Sequence, residues 1–311
     1  MYTYAWHHWL TFFFIYCFLG WVFESAYVSL KQRRPVNRGF LRLPMLPLYG
    51  TGAIMMLWVS LPVQNNIVLV YLSGVLGATI LEYVTGYVME RLFKIRYWDY
   101  SNQKFNLHGY VCLSSSIAWG FLTIFMTDLI HKPIERFVLS LPPAVEFSFI
   151  AVVGILFAAD TVQSTREALN LAKALEAMTK MKADLENLQV QMALLKAEIA
   201  QRVEDYRDEH HSYAEITAEI TAETHARLAE LKESLKDNTM AKVSEFKHET
   251  EAALSARIES LNTHLDTIAE KRSELKRQMG FYRKGILMGN PSASSKKFAE
   301  ALKELKESLK K

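Results

Sequence analysis

Long apolar runs fill the first half of the chain, and a regular pattern of charged and apolar positions fills the second half. Five windows are mainly apolar, at residues 9–30, 43–61, 67–90, 111–130 and 143–163. A helix needs about 20 mainly apolar residues to cross the roughly 30 Å of hydrocarbon in a bilayer. The pattern therefore predicts an all-α fold whose residues 1–163 form a membrane bundle of about five spans.

The second window is less regular than the other four. It contains Pro44, Pro47, Gly50 and Gly52. Proline and glycine both weaken a continuous helix. Irregular backbone at membrane depth survives where protein or a water-filled cavity surrounds it. The sequence therefore leaves two alternatives for this window, a spanning helix or a re-entrant, broken segment.

From Leu171 onward, apolar side chains recur at alternating spacings of three and four residues. This seam comprises Leu171, Ala174, Met178, Met181, Leu185, Leu188, Met192, Leu195 and Ile199. The heptad pattern is typical of a coiled coil, which we expect as a cytoplasmic rod over residues 164–282. A linker and a short amphipathic helix, Ala293 to Leu309 with Ser292 as its cap, are expected within residues 283–311.

The seam needs a partner, because an isolated helix would leave it in water. Identical chains anchored in one membrane would run parallel, so we expect a homo-oligomer held together by a parallel coiled coil. The alternative is a hairpin within one chain, with its turn near His210–Ser212, where the sequence is polar and weakly patterned.

Basic residues in the predicted loops indicate the orientation. Of the 11 Lys and Arg at residues 1–160, nine lie at 31–42 and 91–110, and two lie at 131–142. Cytoplasmic loops carry an excess of Lys and Arg. We therefore expect a multi-pass plasma-membrane protein in contact with lipid, with its N-terminus outside and its C-terminus in the cytoplasm.

Residues 161–311 hold 25 basic and 25 acidic residues, a balance that argues against nucleic-acid binding.

Carboxylates inside the apolar windows are the strongest functional signal. A charge at the centre of a spanning helix costs roughly 2.5–3.5 kcal/mol on insertion scales and needs a polar partner or water. Glu24 and Glu82 lie at similar depths, and we expect both to share a buried site with Arg38. That site is either a structural salt bridge or a cytoplasm-facing site for a charged ligand, ion or lipid headgroup. Three other carboxylates, near window ends, are expected to snorkel to the interface or to be solvated: Asp128, Glu146 and Asp160.

Several short motifs surround these carboxylates in a fixed order. They are Gly20-Trp21-Val22-Phe23-Glu24, Asn37-Arg38-Gly39-Phe40-Leu41, Pro47-Leu48-Tyr49-Gly50, Leu81-Glu82-Tyr83-Val84-Thr85-Gly86, Trp98-Asp99-Tyr100-Ser101 and Phe105-Asn106. Over residues 9–160 this series resembles the bacterial integral-membrane family described as putative ABC-transporter type IV (CmpB-like). The resemblance implies a multi-span protein of permease type. The candidate ligand or ion site comprises Glu24, Arg38, Tyr49, Glu82, Glu90, Trp98, Asp99, Tyr100 and Asn106.

The sequence contains none of the common catalytic or metal-binding motifs. Gly280 to Gly285 has the spacing of a phosphate loop but continues as Ile286-Leu287 instead of Lys-Ser/Thr. We therefore expect no cofactor, metal or catalytic residue, and ATP-driven transport would require a separate ATPase subunit. The leading interpretation is a permease or channel assembled by the coiled coil. The alternatives are a membrane-anchored scaffold that holds or spaces a cytoplasmic partner and, third, a membrane enzyme acting on lipid.

Overall fold

The apolar windows form long helices in the computed structural model, which describes residues 4–219, 253 and 256–309. The helices are α1 (Trp6–Gln32), α2 (Pro47–Ser60), α3 (Ile67–Phe93), α4 (Leu113–Phe125), α5 (His131–Leu139), α6 (Pro143–Glu219), α7 (256–277), α8 (Phe281–Gly289) and α9 (Ala299–Ser308). Two short antiparallel strands, β1 (Asn106–Leu107) and β2 (Val111–Cys112), form the one sheet of the described residues. The all-α prediction is confirmed.

Four helical stretches are long and apolar enough to cross a membrane. They are Trp6–Gln32, Ile67–Phe93, Leu113–Leu139 and Pro143–Glu198. The second window differs from a fifth regular span, because it forms a shorter apolar helix over Pro47–Val63. At about 1.5 Å per residue, this helix is shorter than the hydrocarbon layer of a bilayer.

The residues before α2 follow α1 back toward its middle. Their N–H groups donate to α1 at three successive levels: Val36 to Ser29 Oγ, Arg38 to Ser25 Oγ, and Leu46 to the carbonyl oxygen of Cys17. Pro47 then begins α2, where its missing N–H costs nothing. Near the other end of α2, the ring of Trp58 lies 5.7 Å from that of Trp9. The second window is therefore a short extended stretch, residues 43–46, followed by helix α2, and both contact α1.

The fourth window continues through a predicted loop. We expected a connection at residues 131–142, but α4 passes through a π-helical turn at Met126–Ile130 into α5. His131 explains the continuity, since its imidazole is fully buried. Its Nδ1 lies 2.7 Å from the Tyr16 hydroxyl, and its Nε2 lies 3.0 Å from the Tyr4 hydroxyl. These contacts hold the polar end of the helix against α1.

Small residues let α3 and α4 approach closely. A Cβ at Gly74 would overlap the side chain of Thr123, and a Cβ at Gly120 would overlap the ring of Tyr71. Small residues at helix contacts are typical of membrane bundles, where close packing drives association. Large apolar side chains point outward instead, including Phe23, Leu76 and Ile155 at 66%, 65% and 70% exposure. This distribution suits a protein surrounded by lipid.

Two carboxylates expected to be solvated are buried, so that prediction was wrong. Glu146 is 1% exposed and accepts hydrogen bonds from His7 Nδ1, His8 Nδ1 and Thr11 Oγ1 at 2.8–2.9 Å. These donors fasten the start of α6 to the start of α1. The two imidazoles and this carboxylate bring potential metal-ligating atoms within 4.8 Å of one another. Hydrogen bonds alone account for their arrangement.

Asp160 is the second buried carboxylate, at 6% exposure. Its Oδ2 accepts the backbone N–H groups of Arg42 and Leu43 at 2.9 and 2.8 Å. The extended residues before α2 therefore obtain hydrogen bonds from α6 where they have no helical partners. Asp128, by contrast, is solvated as expected, in an exposed pair with Lys132.

The described chain forms two compact units, Met1–Thr179 with Gln278–Lys311, and Lys180–Arg277. Within the second unit, α6 continues past His210–Ser212 to Glu219. A turn at His210–Ser212 is therefore wrong, because the segment lacks Gly and Pro and stays helical. A turn elsewhere between α6 and α7 would lie outside the described residues.

The C-terminal residues pack within the first unit. The helix expected from Ala293 begins later, at Ala299, and Ser292 does not cap it. Ser294 instead forms an antiparallel bridge with Arg96, with N–H to carbonyl distances of 2.8 and 2.9 Å in the two directions. Ser295 Oγ accepts the N–H of Phe298 at 3.1 Å. The segment after α8 therefore pairs with the loop that follows α3 and does not extend α9.

Candidate functional site

A cavity of about 1030 Å³ lies among α1, α2, α3 and α4. Its polar lining consists of Tyr16, Glu24, Tyr27, Tyr49, Glu82, Tyr100, Gln103, Cys112, Ser114, Ser115 and Trp119. The rest of the wall is apolar, with side chains such as Leu48, Met56 and Phe121. The cavity is therefore amphiphilic, with two carboxylates set in a largely apolar wall.

Glu24 projects from α1 into a set of charged and polar partners. Arg38 Nε donates to Glu24 Oε1 at 3.1 Å, and the Tyr49 hydroxyl donates to Oε2 at 2.7 Å. The side chains of Glu24 and Arg38 are 20% and 12% exposed. The positive charge of Arg38 is therefore close enough to compensate the negative charge of Glu24. The same guanidinium also reaches Asn290 Oδ1 at 2.5 Å.

Glu82 has a different environment. It lies on α3, is 5% exposed, and accepts hydrogen bonds from the Tyr100 hydroxyl at 3.1 Å, Ser115 Oγ at 3.3 Å and Trp119 Nε1 at 2.9 Å. All three donors are neutral. Within residues 4–219 and 256–309, no Lys, Arg or His pairs with this carboxylate. Glu82 therefore has hydrogen bonds to both oxygens but no positive charge to compensate it.

Two further candidate residues, Glu90 and Asp99, belong to a second cluster outside the lining of this cavity. Arg96 Nε lies 2.6 Å from Glu90 Oε2, and its Nη1 lies 3.5 Å from Asp99 Oδ1. The Tyr110 hydroxyl also donates to Glu90, at 2.5 Å, and the Ser294 hydroxyl donates to Asp99 at 2.7 Å. This cluster joins the end of α3, the loop after it and the C-terminal segment.

Charges in this loop are stabilised by one another. Burial alone would lower the pKa of Arg96, but the ion pair with Glu90 outweighs it and raises that pKa. Burial would raise the pKa of Asp99, but hydrogen bonds from Ser101 and Ser294, with the charge of Arg96, lower it below its ordinary value. Both groups are therefore charged at neutral pH.

Trp98 and Asn106 shape the loop and do not line the cavity. Trp98 Nε1 donates to the carbonyl oxygen of Tyr110 at 2.9 Å. Asn106 Nδ2 donates to the carbonyl oxygens of Ser101 and Gln103, and its Oδ1 accepts the N–H of Gly109. These bonds position Tyr100 beneath Glu82.

Sequence reasoning missed four participants: Arg96, Ser115, Trp119 and the segment around Asn290 and Ser294. Trp119 lies next to Gly120 in an apolar window, and nothing in its sequence neighbourhood marks it as a partner of Glu82. Nothing in the sequence indicated that the C-terminal segment contacts these loops, since a short polar stretch is typical of a linker.

Replacing Arg38 with Gln is expected to lower the free energy of unfolding by about 2–3 kcal/mol, somewhat less than for a fully buried pair. The change leaves the Glu24 carboxylate without its cation and removes the bond to Asn290. Lys31→Gln is the control, because Lys31 is exposed and should change stability by less than about 0.5 kcal/mol. Thermal unfolding of both variants in detergent gives the comparison, and equal losses would contradict it.

Comparison with known proteins agrees with the motif series. No curated protein and no solved structure matches the chain. A family model described as putative ABC-transporter type IV matches residues 11–165. That stretch contains most of α1, all of α2 to α5, the start of α6 and both carboxylates of the cavity. Through this membrane half, the chain belongs to the putative ABC-transporter type IV family.

Proposed function

We propose that the protein is a transporter of permease type whose ligand occupies the cavity between Glu24 and Glu82. The observation that carries this proposal is Glu82, a buried carboxylate with three neutral donors and no basic partner in the described chain. A charge in such a place is costly without compensation. A bound cation would supply the positive charge that the described residues around Glu82 do not provide.

The cavity wall indicates the class of ligand. Three aromatic rings, those of Tyr49, Tyr100 and Trp119, stand beside the carboxylates, and aromatic faces attract cations within about 6 Å. The apolar remainder of the wall suits a hydrophobic body. The ligand we propose is therefore an amphiphilic organic cation, with its charge at Glu82 and its body along α2 and α4.

Binding of tetraphenylphosphonium to the purified full-length protein tests this proposal. Glu82→Gln should weaken binding at least tenfold, because the amide keeps the shape but removes the charge; tenfold corresponds to about 1.4 kcal/mol. Asp128→Asn is the matched control, since it removes an exposed carboxylate outside the cavity. If the two variants bind equally, or if Glu82→Gln binds as the wild type does, the cation site is wrong.

The orientation belongs to the same proposal. The nine basic residues at 31–42 and 91–110 favour a cytoplasmic position for both loops, and the extended segment with α2 then makes the second of five crossings. Tyr100 and Gln103 of the second loop line the cavity, so in this orientation the cavity would have a cytoplasmic side. Coupling to ATP would come from a separate subunit.

Cysteine labelling tests the orientation. Asn65→Cys should react with a membrane-impermeant maleimide added to intact cells, and Asn102→Cys should react after the membrane is opened. Both positions are exposed, and the native Cys17 and Cys112 are buried and give little background. Labelling of residue 102 in intact cells would reverse the orientation.

A membrane-anchored scaffold is the second candidate, and one observation favours it. The C-terminal segment contacts the loops after α1 and α3, through Asn290 to Arg38 and Ser294 to Asp99. A partner that pulls on the rod would therefore act on these loops. A scaffold should keep its function when Glu82 is replaced with Gln, whereas a transporter should lose it.

A further inference from the structure

A second, smaller cavity of about 330 Å³ lies at the end of α3. It is lined by Tyr87, Glu90, Arg91, Lys94, Tyr110, Lys296 and Lys297. Four of these seven residues are basic, and they come from two distant parts of the chain. The end of α3 and the loop after it supply Arg91 and Lys94, while the segment before α9 supplies the two lysines.

Nearby carboxylates do not neutralise this group of cations. Glu90 is already paired with Arg96 at 2.6 Å, and Arg96 pairs with Asp99 as well. Lys297 Nζ lies 3.6 Å from Glu176, but both side chains are more than 60% exposed, where an ion pair is weak. In the ion pairs described at this cavity, Arg96 and the four lining cations are five positive charges beside three carboxylates, those of Glu90, Asp99 and Glu176.

The four lining cations are also held near one another. The Arg91 guanidinium lies 5.4 Å from the ring centre of Tyr87, and Lys94 Nζ donates to the carbonyl oxygen of Arg91 at 2.8 Å. Backbone bonds between Arg96 and Ser294, and from Ser295 Oγ to the carbonyl of Lys94, fix the two lysines beside the end of α3. The fold thus holds four positively charged side chains around one small cavity.

We propose that this cavity binds the phosphate group of an anionic ligand, with an anionic phospholipid headgroup as one source and free phosphate as the other. Like charges held this close favour an anion between them, and phosphate accepts hydrogen bonds from several lysine and arginine donors at once. Basic residues next to the end of a spanning helix attract anionic lipid headgroups. A phosphate bound here would tie the C-terminal segment to α3.

Native mass spectrometry of the full-length protein in detergent tests this site. The probes are dioleoylphosphatidylglycerol, which carries a net negative charge, and dioleoylphosphatidylcholine, which does not. The wild type should bind the glycerol lipid at least tenfold more tightly. The double variant Lys296→Gln and Lys297→Gln should lose roughly tenfold of that affinity.

The control is the double variant Lys284→Gln and Lys303→Gln, which removes the same charge from exposed positions on α8 and α9 that do not line the cavity. It should bind as the wild type does. Inorganic phosphate separates the two sources: phosphate binding that depends on Lys296 and Lys297, without a lipid preference, supports the site with free phosphate as its ligand. Equal binding of both lipids together with no phosphate binding, or equal losses in both double variants, would overturn the proposal.

Discussion

Replacing Arg96 with Gln is expected to lower the free energy of unfolding by about 3–5 kcal/mol, the cost of removing one partner from a buried ion pair. Arg96 is 4% exposed. Its guanidinium binds Glu90 and Asp99 and lies 4.7 Å from the ring centre of Tyr110. The Gln side chain is shorter and uncharged, so both carboxylates would lose their cation inside the cluster.

Arg91→Gln is the matched control, because Arg91 is exposed at the end of the same helix and contacts chiefly the ring of Tyr87. Its loss should stay below about 1 kcal/mol. Hydrogen exchange adds a local readout: the amides of residues 290–298 should exchange faster in Arg96→Gln than in Arg91→Gln. A variant Arg96→Gln that unfolds within about 1 kcal/mol of the wild type would contradict the assigned role.

Polar changes on the apolar seam should separate the protein into single chains. Met181, Leu185 and Leu188 are half-buried in the single chain, whereas Leu171 and Met178 are fully buried within the first unit. The half-buried positions therefore have surface left to bury. Each Leu or Met buried there would contribute roughly 1.5–3 kcal/mol, against an association cost of about 4–15 kcal/mol. The membrane lowers that cost, since it holds all chains in one plane.

The double variant Leu185→Asn and Leu188→Asn should therefore lower the mass of the full-length protein in detergent to that of a monomer. Lys173→Asn with Glu186→Asn is the control, because both residues are exposed and off the seam. Light scattering behind size exclusion gives the mass. A wild type that is already monomeric at tens of micromolar would contradict the parallel homo-oligomer and favour a hairpin within one chain.

Hydropathy predicted the long helices because a spanning helix must be apolar along its whole length. It also placed Glu24 and Glu82 in one region, since both lie about the same distance from basic loops. The pattern did not predict the path of the second window. That path depends on the bond from Leu46 to Cys17, 29 residues away, and on the bond from Leu43 to Asp160, 117 residues away.

The partners of the buried carboxylates could not be predicted from the sequence either. His7 and His8 lie more than 130 residues before Glu146, and Trp119 lies 37 residues after Glu82. Periodicity shows which face of a helix is apolar, but it does not show which other segment of the chain packs against that face. The docking of residues 290–298 was missed for the same reason, because its bonds involve mostly backbone and serine groups that occur in any loop.

A cryo-EM map of the full-length protein in lipid nanodiscs with tetraphenylphosphonium tests the central claim most directly. Density for the cation is expected in the cavity, within about 6 Å of the rings of Tyr100 and Trp119 and beside the Glu82 carboxylate. The same density should be missing from the Glu82→Gln map, while the cavity keeps its shape. A cavity filled by lipid tails in both maps, with the cation absent or bound elsewhere, would contradict it.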